Sequence, residues 1–177
     1  MAAAEKVGAA VCLVDNAEAV AAYIADRIAG PLLVAPSPSL ERMVFNDKLQ
    51  QAGLEVVTEG LRNHGPAAAA GLTGANFGIA TTGTVVLEST PESVRLATTL
   101  PEKHFVVLDP VKIVDNELQV ALLLERFHQQ LPQLFLAYLT GPSRTADIER
   151  VLTIGVHGPK ELHILLLSGL SDDPLEC

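Results

Sequence analysis

Five short aliphatic runs punctuate the chain: LLVA at residues 32–35, EVVT at 55–58, FVVL at 105–108, LFLAY at 134–138 and LHILL at 162–166. Each is too short for an ordinary helix and lies among Gly, Pro or acidic residues, so each reads as a strand. Near-continuous apolar runs, as opposed to alternating ones, mark strands covered on both faces, as in parallel sheets. The composition agrees. Hydrophobic residues make up 49% of the chain and aromatic ones only 4%, so the core must be built from Leu, Val, Ile and Ala.

The stretches between the runs carry helical signals. Asp15 with Glu18 has capping-box spacing, Val20, Tyr23, Ile24 and Ile28 share one face, and Gly30 ends the segment. Ser37 and Pro38 suit the N-cap and first position of a second helix, which Gly53 stops. The longest helix is expected within residues 115–131, with Asn116 and Gln119 as a capping pair. Its inner stripe is Val120, Leu123, Leu124, Phe127 and Leu131. A further short helix is expected over 145–152. The Ala- and Gly-rich stretch 65–88 reads as a short helix and then two strands turning at Thr82 and Gly83. Strand–helix–strand order predicts right-handed crossovers and an α/β fold: one domain over 1–177, an open, mainly parallel sheet flanked by helices.

Twelve basic against twenty-one acidic residues, a formal net charge of -9, argue against a broad nucleic-acid or anionic-membrane surface. No apolar run reaches the roughly 18 residues of a membrane span, and the N-terminal segment reads as mature structure, so a cytoplasmic location is expected. Cys12 and Cys177 lie at opposite ends of the chain and cannot ligate a cluster or a CxxC zinc site. The five histidines lack metal spacing. No cofactor and no stoichiometric metal are expected. The P-loop, GxGxxG, HExxH and GxSxG signatures are all missing.

Three stretches carry potential chemistry. TGPSRTADIE, residues 140–149, puts Ser143 and Arg144 where a strand is expected to end and a helix to begin. Arg144 can clamp a carboxylate or phosphate there, or the loop is a plain helix cap whose Asp147 and Glu149 satisfy the dipole. TTGT, residues 81–84, is a tight turn on Gly83, or a place where a ligand approaches the backbone among the hydroxyls of Thr82 and Thr84. GVHGP, residues 155–159, offers His157 as a loop acid, base or ligand contact, or as an exposed turn residue. His128 reads as a surface residue and His163 as a hydrogen-bonded, partly buried strand residue.

Together and in this order, GANFGIATTGTVVLES, TGPSRTADIE and GVHGPKELHILLL resemble the LutC/YkgG family, which carries the LUD domain. The resemblance covers residues 71–167, and Arg95 with LPEKHFVVL fits it too. It implies a NagB/RpiA/CoA transferase-like α/β domain and a role in oxidation of L-lactate to pyruvate beside partner proteins that carry iron–sulfur clusters. On this reading a small anionic or phosphate-bearing metabolite is expected to bind at Thr82, Gly83, Thr84, Arg95, Ser143, Arg144 and His157. The chain departs from the family at Thr81, where an acid usually precedes TGT, and in lacking a longer N-terminal arm. Two other readings stand beside this one: a non-catalytic assembly or regulatory subunit, and an independent enzyme acting on a CoA ester or sugar phosphate. The strictest expectation is geometric, that Arg144 and Gly83 share one cleft.

Overall fold

The computed structural model describes residues 2–130, 133–145 and 153–177. In chain order the elements are α1 (Ala2–Lys6), β1 (Ala10–Val14), α2 (Ala17–Ala25), β2 (Leu32–Val34), α3 (Pro38–Arg42), α4 (Phe45–Gln51), β3 (Val56–Val57) and α5 (Leu61–His64). There follow β4 (Ala70–Gly74), β5 (Phe77–Ile79), β6 (Thr84–Glu88), α6 (Glu92–Thr99), β7 (Lys103–Leu108) and β8 (Ile113–Val114). The last are α7 (Glu117–Gln130), β9 (Leu136–Leu139), β10 (Arg144–Thr145), β11 (Thr153–Ile154) and β12 (Glu161–Leu167). Six strands form one parallel sheet in the order β1-β12-β7-β4-β2-β3, and four form a smaller mixed sheet in the order β8-β5-β6-β9. The chain therefore has the α/β architecture with a mostly parallel central sheet that its aliphatic runs imply.

Strand alternation distributes the core among layers. Phe105, Val107, Leu165 and Leu72 face one way and pack on Val20 and Ile24 of α2 and Phe45 and Leu49 of α4. Val106, Leu108, Ile164 and Leu166 face the other way, against Val94 and Ala97 of α6, Ala4 of α1, and Val85 and Leu87 of the small sheet. Val86 and Phe77 point to the far side of that sheet and meet Val120 and Phe127 of α7. Full burial of side chains this size contributes about 1.5–3 kcal/mol each.

Several expectations shift. Asn16, not Asp15, caps α2 by accepting from the Ala19 N–H at 2.8 Å, and α2 ends at Ala25 instead of running to Gly30. Ser37 and Pro38 do start a helix, but Val44 at φ 52° breaks it into α3 and α4. The Asn116 side chain accepts from the Leu118 N–H while Gln119 accepts from the Asp115 N–H, so both cap α7. Leu131 lies outside the described residues. The hairpin at Thr82 and Gly83 is present, with Gly83 at φ 68°. The largest departure is β4. In place of the expected helix the Ala-rich stretch makes one 3-10 turn, Gly65–Ala67, and then the buried central strand Ala70–Gly74. A Cβ at Gly71 would run into the Ala97 carbonyl of α6. The small residues there serve close helix–sheet approach, not helix propensity.

After β12 the chain turns back across the carboxyl edge of the parallel sheet. The Leu170 N–H donates to Asp109 at 2.8 Å, Lys112 Nζ donates to the Ala75 and Glu176 carbonyls at 2.8 and 2.7 Å, and Ser37 Oγ donates to the Cys177 carbonyl. Arg42 holds Glu176 through both guanidinium nitrogens. Among the described residues no helix is long and apolar enough to cross a membrane.

Candidate functional site

The expected strand at 134–138 appears as β9, an edge strand of the small sheet, antiparallel to β6. This placement decides where TGPSR goes. It follows β9 out of the small sheet and passes over the amino ends of β7 and β12. Arg144 and Thr145 do not start a helix but form β10, antiparallel to Thr153 and Ile154 of β11. The expected helix over 145–152 otherwise lies outside the described residues. Ser143 donates its N–H to the Pro159 carbonyl and accepts from the Gly155 N–H, both at 2.9 Å, which closes GVHGP onto TGPSR. Residues 134–138 and 162–166 thus pair in neither sense, and His157 returns to Arg144 through the β10–β11 pair.

These loops stand off the sheet and enclose a cavity of about 630 Å³. Its walls are Arg95, Thr98 and Thr99 of α6, Tyr138 to Arg144 at and beyond the end of β9, the loop around His157, and His104 and Leu162 at the starts of β7 and β12. Among the described lining residues are two arginines, two histidines and several hydroxyls, and no Asp or Glu. In a chain of net charge -9 a wall with two arginines and no carboxylate stands out from the rest of the sequence. Arg95 on α6 donates Nη1 to the Ser89 and Thr90 carbonyls, which fixes its guanidinium at the rim.

His104 forms part of the floor. It is fully buried, with Nε2 2.9 Å from Thr73 Oγ1 and Nδ1 without a hydrogen-bond partner among the described residues. Burial, helped by the nearby His163, lowers its pKa to about 3, so the imidazole is neutral. Burial also raises the Tyr138 phenol. His163, on the other face, meets its expectation: its Nδ1 lies 3.1 Å from Tyr23 Oη and its Nε2 3.1 Å from Glu161, and the ring stacks on Phe105 at 4.7 Å. It is structural. His128 is exposed.

Of the seven residues singled out from the sequence, Arg95, Ser143, Arg144 and His157 line this cavity, and Thr82, Gly83 and Thr84 do not. The expectation that Arg144 and Gly83 share a cleft is overturned. What they share is the N-terminal segment. A Cβ at Gly83 would run into the backbone of Ala3 and Ala4, one at Gly141 into the Val7 carbonyl, and Arg144 Nη2 donates to that same carbonyl. Both glycine turns receive the N-terminal segment, Gly83 at α1 and Gly141 at Val7 just after it. Thr84 still touches the cavity indirectly, since hydroxyls run from Thr82 to Thr84 at 2.7 Å and on to Thr140 at 2.8 Å. The sequence reading missed His104, Tyr138, Thr98 and Thr99. Their one signal is position: His104 opens the FVVL run and Tyr138 closes LFLAY. Among the described residues no three His, Cys, Asp or Glu side chains gather as a metal site, and both cysteines are free.

The fold and site define an α/β chain with an arginine-lined cavity over the amino edge of its parallel sheet. Comparison supplies the family. The model of the LUD domain matches residues 1–167, and the chain belongs to that family. It is 31% identical over 149 residues to lactate utilization protein C of Anoxybacillus flavithermus, covering 82% of this chain and 66% of that protein. It is 32% identical over 168 residues to the Escherichia coli protein YkgG, covering 86% and 71%. With a protein of Neisseria meningitidis serogroup B it shares 40% identity over 98 residues, 55% of this chain and 42% of the relative. The chain thus spans about two-fifths to seven-tenths of the length of these relatives. A DUF162 family protein from Deinococcus radiodurans has the same fold, with a TM-score of 0.67 at 20% identity over 94% of this chain and 93% of that one.

Proposed function

We propose that the chain is a component of L-lactate utilisation that binds a small anionic metabolite in the amino-edge cavity and works beside iron–sulfur partner proteins. The names of its LutC relatives support the process, and the carboxylate-free wall of Arg95, Arg144, Ser143 and His157 supports the ligand class. In this reading Arg95 and Arg144 hold the anion, Ser143 and Thr140 donate hydroxyls, and neutral His104 with Thr73 keeps the floor free of charge. The chain itself carries no cysteine cluster for electrons, having only Cys12 and Cys177. Calorimetry with L-lactate and pyruvate tests the ligand. Arg95→Gln is expected to weaken binding roughly tenfold, the weight of one charge-assisted hydrogen bond, with the fold retained. No binding by the unaltered chain, or full binding by the variant, sinks the ligand reading. Lactate oxidation by the partner proteins with and without the chain tests the process.

The assembly-subunit reading has its own observation. Leu118 and Leu122 on α7 and Phe135 before β9 are 84%, 68% and 67% exposed. Lactate oxidation that needs the chain but survives Arg95→Gln unchanged would favour this reading.

A further inference from the structure

In open α/β sheets, ligands bind outside the carboxyl ends of the strands, at the point where chain connections depart in opposite directions. That point lies here between β2 and β4. The connection after β2, through α3 and α4, runs outward to β3 on the Phe105 face of the sheet. The connection after β4 runs inward to β7, with α6 on the opposite face. The crevice between the two strand ends is filled by the chain's own residues 171–177. A Cβ at Gly74, the last residue of β4, would lie 2.6 Å from the Cys177 carbonyl carbon and 2.9 Å from Ser37 Oγ.

We propose that residues 171–177 are a displaceable latch over a second ligand site, separate from the amino-edge cavity, that takes a small carboxylate or phosphate. Four observations carry this. First, the groups that hold the backbone of the segment at the strand ends are donors: Ser37 Oγ and the Ser39 N–H on the backbone oxygen of Cys177, and Lys112 Nζ on that of Glu176. Donors of this kind, with one ammonium, suit an oxyanion. Second, these donors are built in. Lys112 is 3% exposed, and Ser37 and Ser39 are 2% and 1% exposed. Asp109, the acid nearest along the chain, is occupied by the N–H groups of Val111 and Leu170. Third, the segment lies at the surface. None of residues 171–177 is fully buried, and Leu175 packs on the edge of the Phe77–Phe127 cluster. Arg126 with Asp173 is an exposed ion pair, and Arg42 pairs with the partly exposed Glu176. Such pairs are individually weak. Its departure also removes two carboxylates, Asp173 and Glu176, from around Lys112. Fourth, there is room beyond the oxyanion head. A cavity of about 270 Å³ adjoins Ser37, and Glu41 and Glu59 on its wall suit a ligand body bearing hydroxyl or amine donors.

The test uses the full chain with Cys12→Ser, which leaves Cys177 as a reporter of latch opening. Inorganic phosphate and acetate are added separately, with chloride at matched ionic strength as control, and modification of Cys177 by an aromatic disulfide reagent is timed. An oxyanion that competes with the latch shifts the population toward the open state, and a rate increase of about fivefold at saturation is expected for at least one of the two. The oxyanion that acts identifies the head group. Glu176→Ala is expected to lower the half-saturating concentration about threefold, in line with the weight of an exposed ion pair. Lys112→Met and Ser37→Ala each abolish the response, and Ser37→Ala serves alone if the lysine variant does not fold. Equal rates in phosphate, acetate and chloride, or a response that survives Ser37→Ala, overturn the proposal.

Discussion

At the amino edge of the parallel sheet, the loops after β9 and β11 stand away from β7 and β12 and enclose about 630 Å³. At the carboxyl edge, residues 171–177 lie across β7, β4 and β2, and about 270 Å³ stays open beside them. The amino edge is open although its rim carries Arg95, Arg144 and His157. The carboxyl edge is closed because its donors, Ser37 and Lys112, already have carbonyl partners. The difference shows that a parallel sheet does not by itself say which edge is free. The second sheet and the returning chain decide, by placing an antiparallel strand beyond one edge and residues 171–177 across the other.

The amino edge is the place to break this comparison hardest. Gly71→Val puts a branched side chain into the Ala97 backbone of α6, the helix that also carries Arg95, Thr98 and Thr99. Backbone cannot yield as a side chain can, so a loss of about 3 kcal/mol or more is expected in urea unfolding. Loss of ligand binding should accompany it. A variant of unchanged stability would mean that α6 is not seated on Gly71, and the cavity's far wall would have to be redrawn.

Acid should act next in size, and on the same edge. His104 has a folded pKa of about 3 against an ordinary value of 6.5. The unfolded chain therefore takes up a proton below about 6.5 that the folded chain refuses. Stability is fully present above that pH and falls as pH drops toward 3, by up to about 1.4 kcal/mol per unit. Roughly 2 kcal/mol should be lost between about pH 7.5 and 5, above the range where carboxylates titrate. His163, lowered chiefly by burial, adds in the same direction. Urea unfolding across this range checks it, and His104→Leu should flatten most of the slope. A slope unchanged by that substitution refutes the assignment to His104.

The smallest effect concerns Arg144, which serves two masters. Its bond to the Val7 carbonyl is exposed, so Arg144→Ala should cost only about 1 kcal/mol of stability. It should also speed hydrogen exchange in α1 and weaken anion binding. If exchange in α1 is unaffected while binding is lost, the arginine belongs to the cavity alone. The opposite result would make it a clamp for the N-terminal segment.

Much of the fold can be read from particular residues. All five aliphatic runs contain strands: four lie in the parallel sheet, where short runs of Leu, Val and Ile are covered by helices, while the fifth, β9, is a half-exposed edge strand of the small sheet. Pro38 behind Ser37, Gly83 in its turn and Asn116 before α7 act locally, through φ or a side-chain cap, and local effects are written in local sequence. Ser143, Arg144 and His157 stood out for a like reason, as polar residues in Gly- and Pro-containing stretches beside strands, whereas Arg95, on α6, was singled out through the family resemblance. The strand β4 was not legible. Ala and Gly are chosen there by the approach of α6, which comes twenty-odd residues later in the chain, and nothing nearby announces it.

The sequence by itself determined the class of element at most positions, the aliphatic core and the family motifs. It also carried the charge contrast that makes a lone pair of arginines notable. It did not determine which elements meet. Gly83 and Arg144 both looked like parts of one pocket, and both are instead spent partly on α1. Only the tertiary structure put His104 under Arg95, moved β9 into a separate sheet and drew residues 171–177 over the strand ends. The physical reason is range. Caps, turns and strand periodicity are set within a few residues, whereas a cavity is the space left between surfaces that come from opposite ends of the chain.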